Sequence, residues 1–126
     1  LDLSDCCYYL GPKTHRELSE LYNQADIMIF PTMLYESLGL VGIEAMACGC
    51  PVIGSDIGCL PEYIKEGITG FLFEPGNSHE LAERIVDFYK LTEKQRNTMR
   101  LEAIRYVDKY ESRKISQALI NKIKEI

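Results

Sequence analysis

Two glutamates, Glu36 and Glu44, stand eight residues apart in a stretch whose residue types could bind an anionic ligand. The loop residues before Gly39 and the apolar run after it predict a helix that begins near Gly39 or Leu40. The first backbone N–H groups of a helix have no intrahelical partners and lie at the positive end of its dipole, so they are suited to phosphate. Glu44 falls about one turn inside this helix, where its carboxylate can reach the same ligand-binding region as that of Glu36.

The two carboxylates are suited to hydroxyl groups rather than to phosphate. A carboxylate accepts hydrogen bonds at two oxygens, which matches the neighbouring hydroxyls of a ribose or a hexose, whereas it repels phosphate at close range. We therefore expect phosphate groups on the backbone amides and sugar hydroxyls on Glu36 and Glu44. In the simpler alternative, Glu36 caps the helix and Glu44 is a solvated helix residue. However, Glu44 lies in an apolar run, residues 40–47, where a carboxylate needs a partner.

The sequence around this stretch predicts an α/β fold with a parallel sheet. Residues 27–30 (IMIF) form a continuous apolar run of strand length, which is typical of a buried central strand, and Pro31 ends it. The loop that carries Glu36, which we call the glutamate loop, therefore follows the carboxyl end of a strand, where open α/β sheets bind ligands. Gly49 is suited to the position after the helix, and residues 52–54 predict the next parallel strand.

The remaining pattern predicts alternating strands and helices, with only helices after residue 79. This order implies βαβ units with right-handed crossovers. We expect a Rossmann-like part over about residues 1–78 and carboxy-terminal helices over about residues 79–126. The other predicted elements are a strand over 5–9, a helix over 15–24 with a capping box of Thr14 and Glu17, a helix over 61–65, a strand over 71–73, and helix N-caps at Asn77 or Ser78, Thr92 and Ser112.

Composition argues against several classes of protein. The chain has 126 residues, which is one domain's worth, and its net charge of -5 gives no basic surface for nucleic acid. Its five cysteines have no regular spacing, so we expect free thiols in a reducing cytosol. Neither the cysteines nor the histidines have the spacing of a metal site. No apolar run approaches the roughly 20 residues that a membrane span needs.

Several separate pieces of sequence occur in a characteristic order. They are the AD dipeptide with its apolar strand, the E-x7-E pair Glu36 and Glu44, EAMACG followed by PVI, the G-x-LPE loop that starts at Gly58, and the stretch GITGFL. In this order they resemble the carboxy-terminal donor-binding domain of the retaining group 1 glycosyltransferases. The resemblance extends over about residues 10–108. It implies the Rossmann-like carboxy-terminal half of an enzyme with the GT-B fold.

The resemblance implies a role for each residue of the glutamate stretch. Glu36 would be the catalytic residue that hydrogen-bonds hydroxyls of the transferred sugar, and Glu44 would bind the ribose hydroxyls of the nucleotide. Backbone amides would contact the sugar and the diphosphate along Ser37, Leu38, Gly39, Leu40 and Val41. The donor would be a nucleotide-diphosphate sugar such as a UDP-, GDP- or ADP-sugar. The family does without the metal-bound Asp-x-Asp motif of the other major glycosyltransferase fold, so no metal and no cofactor are implied.

The resemblance also implies that this chain is part of a longer enzyme. The family places an Arg and a Lys that neutralise the diphosphate upstream of the matching segment, and an amino-terminal domain carries most of its acceptor site. We therefore expect the isolated chain to lack turnover. The acceptor, held through the amino-terminal domain, would be a glycan, a lipid or a small molecule. The parent enzyme would be cytoplasmic and open to peripheral membrane contact.

Two other functions stay open at this point. A nucleotide-sugar 2-epimerase shares the fold and clamps a nucleoside diphosphate in the same manner, although EAMACG with the E-x7-E pair favours a transferase. A doubly wound binding domain without chemistry would show no saturable nucleotide binding. A dinucleotide dehydrogenase is disfavoured because no G-x-G-x-x-G follows a strand, and a serine hydrolase because no G-x-S-x-G motif is present.

Overall fold

The computed structural model describes residues 3–111, 114 and 120–122, in which a three-stranded parallel sheet is packed between helices. The strands are β1 (Met28–Phe30), β2 (Val52–Ser55) and β3 (Gly70–Phe73). The helices are α1 (His15–Gln24), α2 (Leu40–Ala47), α3 (Leu60–Tyr63), α4 (Ser78–Lys90) and α5 (Glu93–Val107), and a short 3-10 helix, Asp108–Tyr110, follows α5. The predicted α/β fold class is confirmed.

The sheet has the order β1-β2-β3, and both strand pairs are parallel. Met28 pairs with Val52, and Ile53 pairs with Phe71. Every residue of β2 is buried, as expected for a strand with a neighbour on each side. Because parallel strands end at the same edge of a sheet, the loops that follow β1 and β2 lie side by side there.

Successive residues of β2 contribute to two apolar clusters on opposite faces of the sheet. Val52 belongs to a cluster with α2, α3 and the end of α5, in which Met46 and Leu60 are fully buried. Ile53 belongs to a second cluster with β3, α4 and the middle of α5, in which Phe88 is buried. Each such side chain contributes on the order of 1.5–3 kcal/mol when it is fully buried. The first cluster thereby fixes α2 and α3 against the sheet.

Helices α1, α4 and α5 have the N-terminal caps that the sequence predicts. The Thr14 hydroxyl accepts a hydrogen bond from the Glu17 N–H, and the Glu17 carboxylate accepts one from the Thr14 N–H, so the capping box of α1 is complete. Asn77 caps α4, and Thr92 forms a second capping box with Gln95 at the start of α5. These predictions are confirmed.

The predicted strand over residues 5–9 is wrong. A turn forms instead, in which the Cys7 N–H donates to the Leu3 carbonyl, and the side chains of Tyr8 and Tyr9 are 76% and 94% exposed. The strand preference of aromatic residues reflects packing against neighbouring strands. Among the described residues no strand pairs with this segment, so that packing is missing.

The described residues do not place the predicted strand over residues 27–30 at the centre of the sheet. Within the described residues β1 lies at the edge of the sheet, and all three of its residues are only partly buried. A continuous apolar run indicates that both faces of a strand are covered, but it does not say how many strands lie beside it. The predicted third carboxy-terminal helix, with Ser112 as its N-cap, falls mostly outside the described residues.

The short helix predicted over residues 61–65 is shifted towards the amino terminus. It covers Leu60–Tyr63, with Pro61 in its first turn as expected. The Thr69 hydroxyl accepts a hydrogen bond from the Lys65 N–H and donates one to the Tyr63 carbonyl. The Lys65 N–H and the Tyr63 carbonyl, which a longer helix would need for its own hydrogen bonds, are therefore bonded to the Thr69 side chain.

Candidate functional site

The loop between β1 and α2 ends at a residue in the left-handed conformation, after which the helix begins. Gly39 is the N-cap of α2 and has φ 61° and ψ 48°, a left-handed conformation that glycine adopts without a steric penalty. Its carbonyl accepts a hydrogen bond from the Gly42 N–H at 2.9 Å. Leu40 and Val41 form the first turn, are exposed, and supply amide groups that have no intrahelical partner. The predicted helix start is confirmed.

Glu36 lies in this loop and is held through both its side chain and its backbone. Its carboxylate, which is partly buried, accepts a hydrogen bond of 3.4 Å from the Thr32 hydroxyl. Its carbonyl accepts a hydrogen bond of 3.0 Å from the Cys59 N–H in the loop after β2. Gly58 allows this approach, because a Cβ there would lie 2.5 Å from the Glu36 carbonyl oxygen.

The structure does not give Glu36 a capping role at α2. No side chain forms a cap hydrogen bond at the amino terminus of this helix. The first amides of α2 therefore have no side-chain partner among the described residues and are available to solvent or to a ligand. The simpler interpretation of Glu36 as a helix cap loses its support.

Glu44 lies on the side of α2 that faces α1. Its partly buried side chain lines a cleft of about 240 Å³ between these helices, together with His15, Leu18, Ser19, Tyr22, Ala47 and Cys48. Burial raises the pKa of the Tyr22 hydroxyl, and the nearby Glu44 carboxylate raises it further. The Tyr22 hydroxyl therefore stays protonated at neutral pH, beside a carboxylate that accepts no hydrogen bond from the described residues.

The two glutamates have different surroundings. Glu36 adjoins the loop after β2, whereas Glu44 faces α1 and shares its cleft with that helix. Between them, Ser37 and Leu38 are exposed. A ligand that contacts both carboxylates would therefore have to be elongated. An elongated ligand with an anionic middle and hydroxyl-rich ends has this shape.

The charges at this site favour such a ligand only in part. Residues 31–44 include two carboxylates and no lysine or arginine, so positive potential comes from the α2 amides alone in this segment.

Among residues 3–111, 114 and 120–122, no three His, Cys, Asp or Glu side chains come close enough to hold a metal ion. None of the helices in that part of the chain combines the length and the apolar character needed to cross a bilayer.

Tyr63 is a residue of this site that the sequence analysis missed. It is only 1% exposed, and its hydroxyl donates a hydrogen bond of 3.1 Å to the carbonyl of Gly39. Burial raises the pKa of this hydroxyl, which keeps it protonated. The available signal was the pair Gly39 and Gly42, because a glycine inside a helix often marks the close approach of another group.

Comparison with known proteins gives these features a context. The family model described as glycosyl transferases group 1 matches residues 1–105 of this chain. N-acetyl-alpha-D-glucosaminyl L-malate synthase from Bacillus anthracis is 38% identical over 97 residues, which cover 77% of this chain and 25% of that protein.

Two solved structures resemble the fold closely. Sucrose-phosphate synthase from Thermosynechococcus elongatus has a TM-score of 0.83 and 29% identity over 95% of this chain and 30% of its own. The Anabaena protein Alr3699/HepE, in complex with UDP and glucose, has a TM-score of 0.82 and 26% identity over 94% of this chain and 32% of its own. The chain thus spans about a third or less of the length of each of these proteins.

Proposed function

This chain belongs to the group 1 glycosyltransferase family, and from that premise we propose that it is the donor-binding part of a longer, retaining enzyme. The enzyme transfers a sugar from a nucleotide-diphosphate sugar to an acceptor. One observation supports this donor class above the others: the HepE structure that superimposes on 94% of this chain was solved in complex with UDP and glucose.

We assign each part of such a donor to a different group. The diphosphate lies on the amides of Leu40 and Val41, where the helix dipole favours negative charge. The ribose hydroxyls bind the carboxylate of Glu44 in the cleft between α1 and α2. The transferred sugar binds Glu36, with the backbone of Ser37 and Leu38 beside it.

The same amides contribute to the reaction itself. Negative charge grows on the leaving diphosphate as the bond to the sugar breaks, and N–H groups aimed at it stabilise the transition state more than the bound donor. Because residues 31–44 carry no cation, we assign neutralisation of the remaining charge to groups outside this segment. Neither a metal nor a cofactor takes part in this scheme. An amino-terminal domain of the cytoplasmic parent enzyme carries most of the acceptor site, so the isolated chain lacks turnover.

Calorimetry on the full-length enzyme tests the donor site directly. UDP, GDP and ADP are titrated in turn, each with and without an attached glucose, and saturable binding of one of them is expected. Glu44→Gln should weaken that binding roughly 10- to 100-fold, because a hydrogen bond to a charged group contributes about 1.5–3 kcal/mol. Glu83→Gln, at an exposed position of α4, is the matched control and should leave the affinity unchanged.

The outcomes separate the parts of the proposal. Unchanged affinity in Glu44→Gln would contradict the assignment of Glu44 to the ribose. If no nucleotide binds, the donor class itself is wrong. Analysis of the products then distinguishes transfer of the sugar to an acceptor from epimerisation of the nucleotide sugar, which is the competing reaction on this fold.

A further inference from the structure

A buried hydroxyl from α3 contacts the peptide group at which α2 begins. The Tyr63 hydroxyl donates to the Gly39 carbonyl over 3.1 Å, and Tyr63 is 1% exposed. The Gly39 carbonyl and the Leu40 N–H belong to one planar peptide unit, so the orientation of one fixes the orientation of the other. The bond therefore sets the direction in which the Leu40 N–H points.

We propose that Tyr63 is a positioning residue, which holds the Gly39–Leu40 peptide so that the Leu40 N–H is aimed at the diphosphate of the donor. This inference rests on the function proposed above. Tyr63 itself does not touch the donor, because it is buried beneath α2. The Gly39 carbonyl accepts both the tyrosine hydroxyl and the Gly42 N–H, and hydrogen bonds that share a peptide group polarise it, which strengthens its N–H as a donor.

The neighbouring glycines show that the hydroxyl, and not only the ring, is fitted into α2. A Cβ at Gly42 would lie 2.5 Å from the Tyr63 hydroxyl oxygen, and a Cβ at Gly39 would lie 2.7 Å from it. Glycine inside a helix costs about 1 kcal/mol relative to alanine. The close approach of the hydroxyl accounts for a glycine at Gly42 in spite of that cost.

The segment that carries Tyr63 also holds the second part of the site. The Cys59 N–H, next to the start of α3, donates to the Glu36 carbonyl, and Gly58 packs against the same peptide. The short helix α3, in which Leu60 and Tyr63 are buried, and the residues just before it thus support the loop that carries Glu36 at one point and the start of α2 at another. Displacement of α3 would move both.

Substitution of the hydroxyl alone tests this inference. Tyr63→Phe in the full-length enzyme keeps the ring and removes the hydrogen bond. Tyr106→Phe is the matched control, because it keeps the ring contacts with Lys65 and Lys109 and removes a hydroxyl that makes no hydrogen bond among the described residues. The affinities of both variants are measured for UDP, GDP and ADP and for the phosphate-free nucleosides uridine, guanosine and adenosine. Thermal unfolding verifies that each variant is folded at the temperature of the titration.

We expect Tyr63→Phe to weaken binding of the nucleoside diphosphate about three- to tenfold, the effect of one hydrogen bond. Binding of the matching nucleoside should change less than twofold, since a nucleoside makes no contact with the α2 amides. Tyr106→Phe should change neither affinity. A general loss of stability would weaken both ligands alike, so the ratio of the two affinities reports positioning.

Two results would overturn the inference in different ways. If Tyr63→Phe binds diphosphate and nucleoside with unchanged affinities, or loses both equally, the positioning role is wrong while the donor site stands. If the unaltered enzyme binds none of the nucleotides, the proposed function fails and the positioning role with it. Gly42→Ala provides a second variant should Tyr63→Phe fail to fold: its new methyl group displaces the hydroxyl, and it should produce the same selective loss of diphosphate binding.

Discussion

Replacement of Gly58 by alanine tests how firmly the loop after β2 supports Glu36. Gly58 has φ +60°, and a Cβ at this position would lie 2.5 Å from the Glu36 carbonyl oxygen and 2.8 Å from the Glu36 nitrogen. Both are backbone atoms, so no side-chain rotation can relieve the contact. The two loops must move apart, and the hydrogen bond from Cys59 to Glu36 is lost or lengthened.

The expected cost has two parts. An alanine in the left-handed conformation costs about 1–2 kcal/mol. Forcing an additional methyl group into a packed position typically costs about 1–3 kcal/mol more. Gly58→Ala should therefore lower the free energy of unfolding by about 2–5 kcal/mol. Gly67→Ala is the matched control: Gly67 has φ +71° with no atom within 4 Å of its Cβ position, so only the first cost applies.

Urea unfolding followed by circular dichroism measures both variants on the same scale. The additional loss in Gly58→Ala is the part that comes from contact with Glu36. In the full-length enzyme the same variant should lower turnover more than Gly67→Ala does, since the Glu36 loop is displaced. Equal losses of unfolding free energy in the two variants would refute the reasoning, because they would show that the loop accommodates the methyl group without moving.

Two further predictions concern a carboxylate and a thiol. Glu36→Ala should lower the kcat of the full-length enzyme by more than it weakens nucleoside diphosphate binding, because we assign this carboxylate to the transferred sugar. Kinetics measures the first effect and calorimetry the second. Equal losses would contradict that role. Burial raises the pKa of the Cys50 thiol from 9.0 to about 11, so the folded chain keeps a proton that the unfolded chain releases. The free energy of unfolding should therefore fall as pH rises from about 9 to about 11. Urea unfolding across this range measures the slope, and an unchanged slope in Cys50→Ala would contradict the assignment.

The features that the sequence predicted correctly are those that short-range chemistry determines. Thr14 and Glu17 satisfy each other's backbone groups within one turn, so the start of α1 needs no information from the rest of the chain. Gly39 likewise marks the start of α2, because it stands between the loop residues and the apolar run that forms the helix. The glutamate loop could be placed at the end of a strand for the same reason, because IMIF and Pro31 are adjacent to it.

The features that it missed depend on residues far apart in the chain. The aromatic run over residues 5–9 has strand-like composition, but it lacks a neighbouring strand among the described residues. The contact of Tyr63 with Gly39 joins positions 24 residues apart. The pair Gly39 and Gly42 indicates a close approach to α2, but it does not identify the residue that approaches. The different surroundings of Glu36 and Glu44 also depend on how α1 and α3 pack, which the spacing of the two glutamates does not specify.

Helix α5 contributes side chains to both apolar clusters. Met99 belongs to the cluster of Ile53, whereas Ala103 and Val107 belong to the cluster of Val52. A helix shared by two cores couples their unfolding, because release of α5 from either face exposes apolar surface on both. In thermodynamic terms the sheet and this helix form one cooperative unit. Grafting of the donor site onto another scaffold would therefore have to include α5, although it contributes no residue to the site.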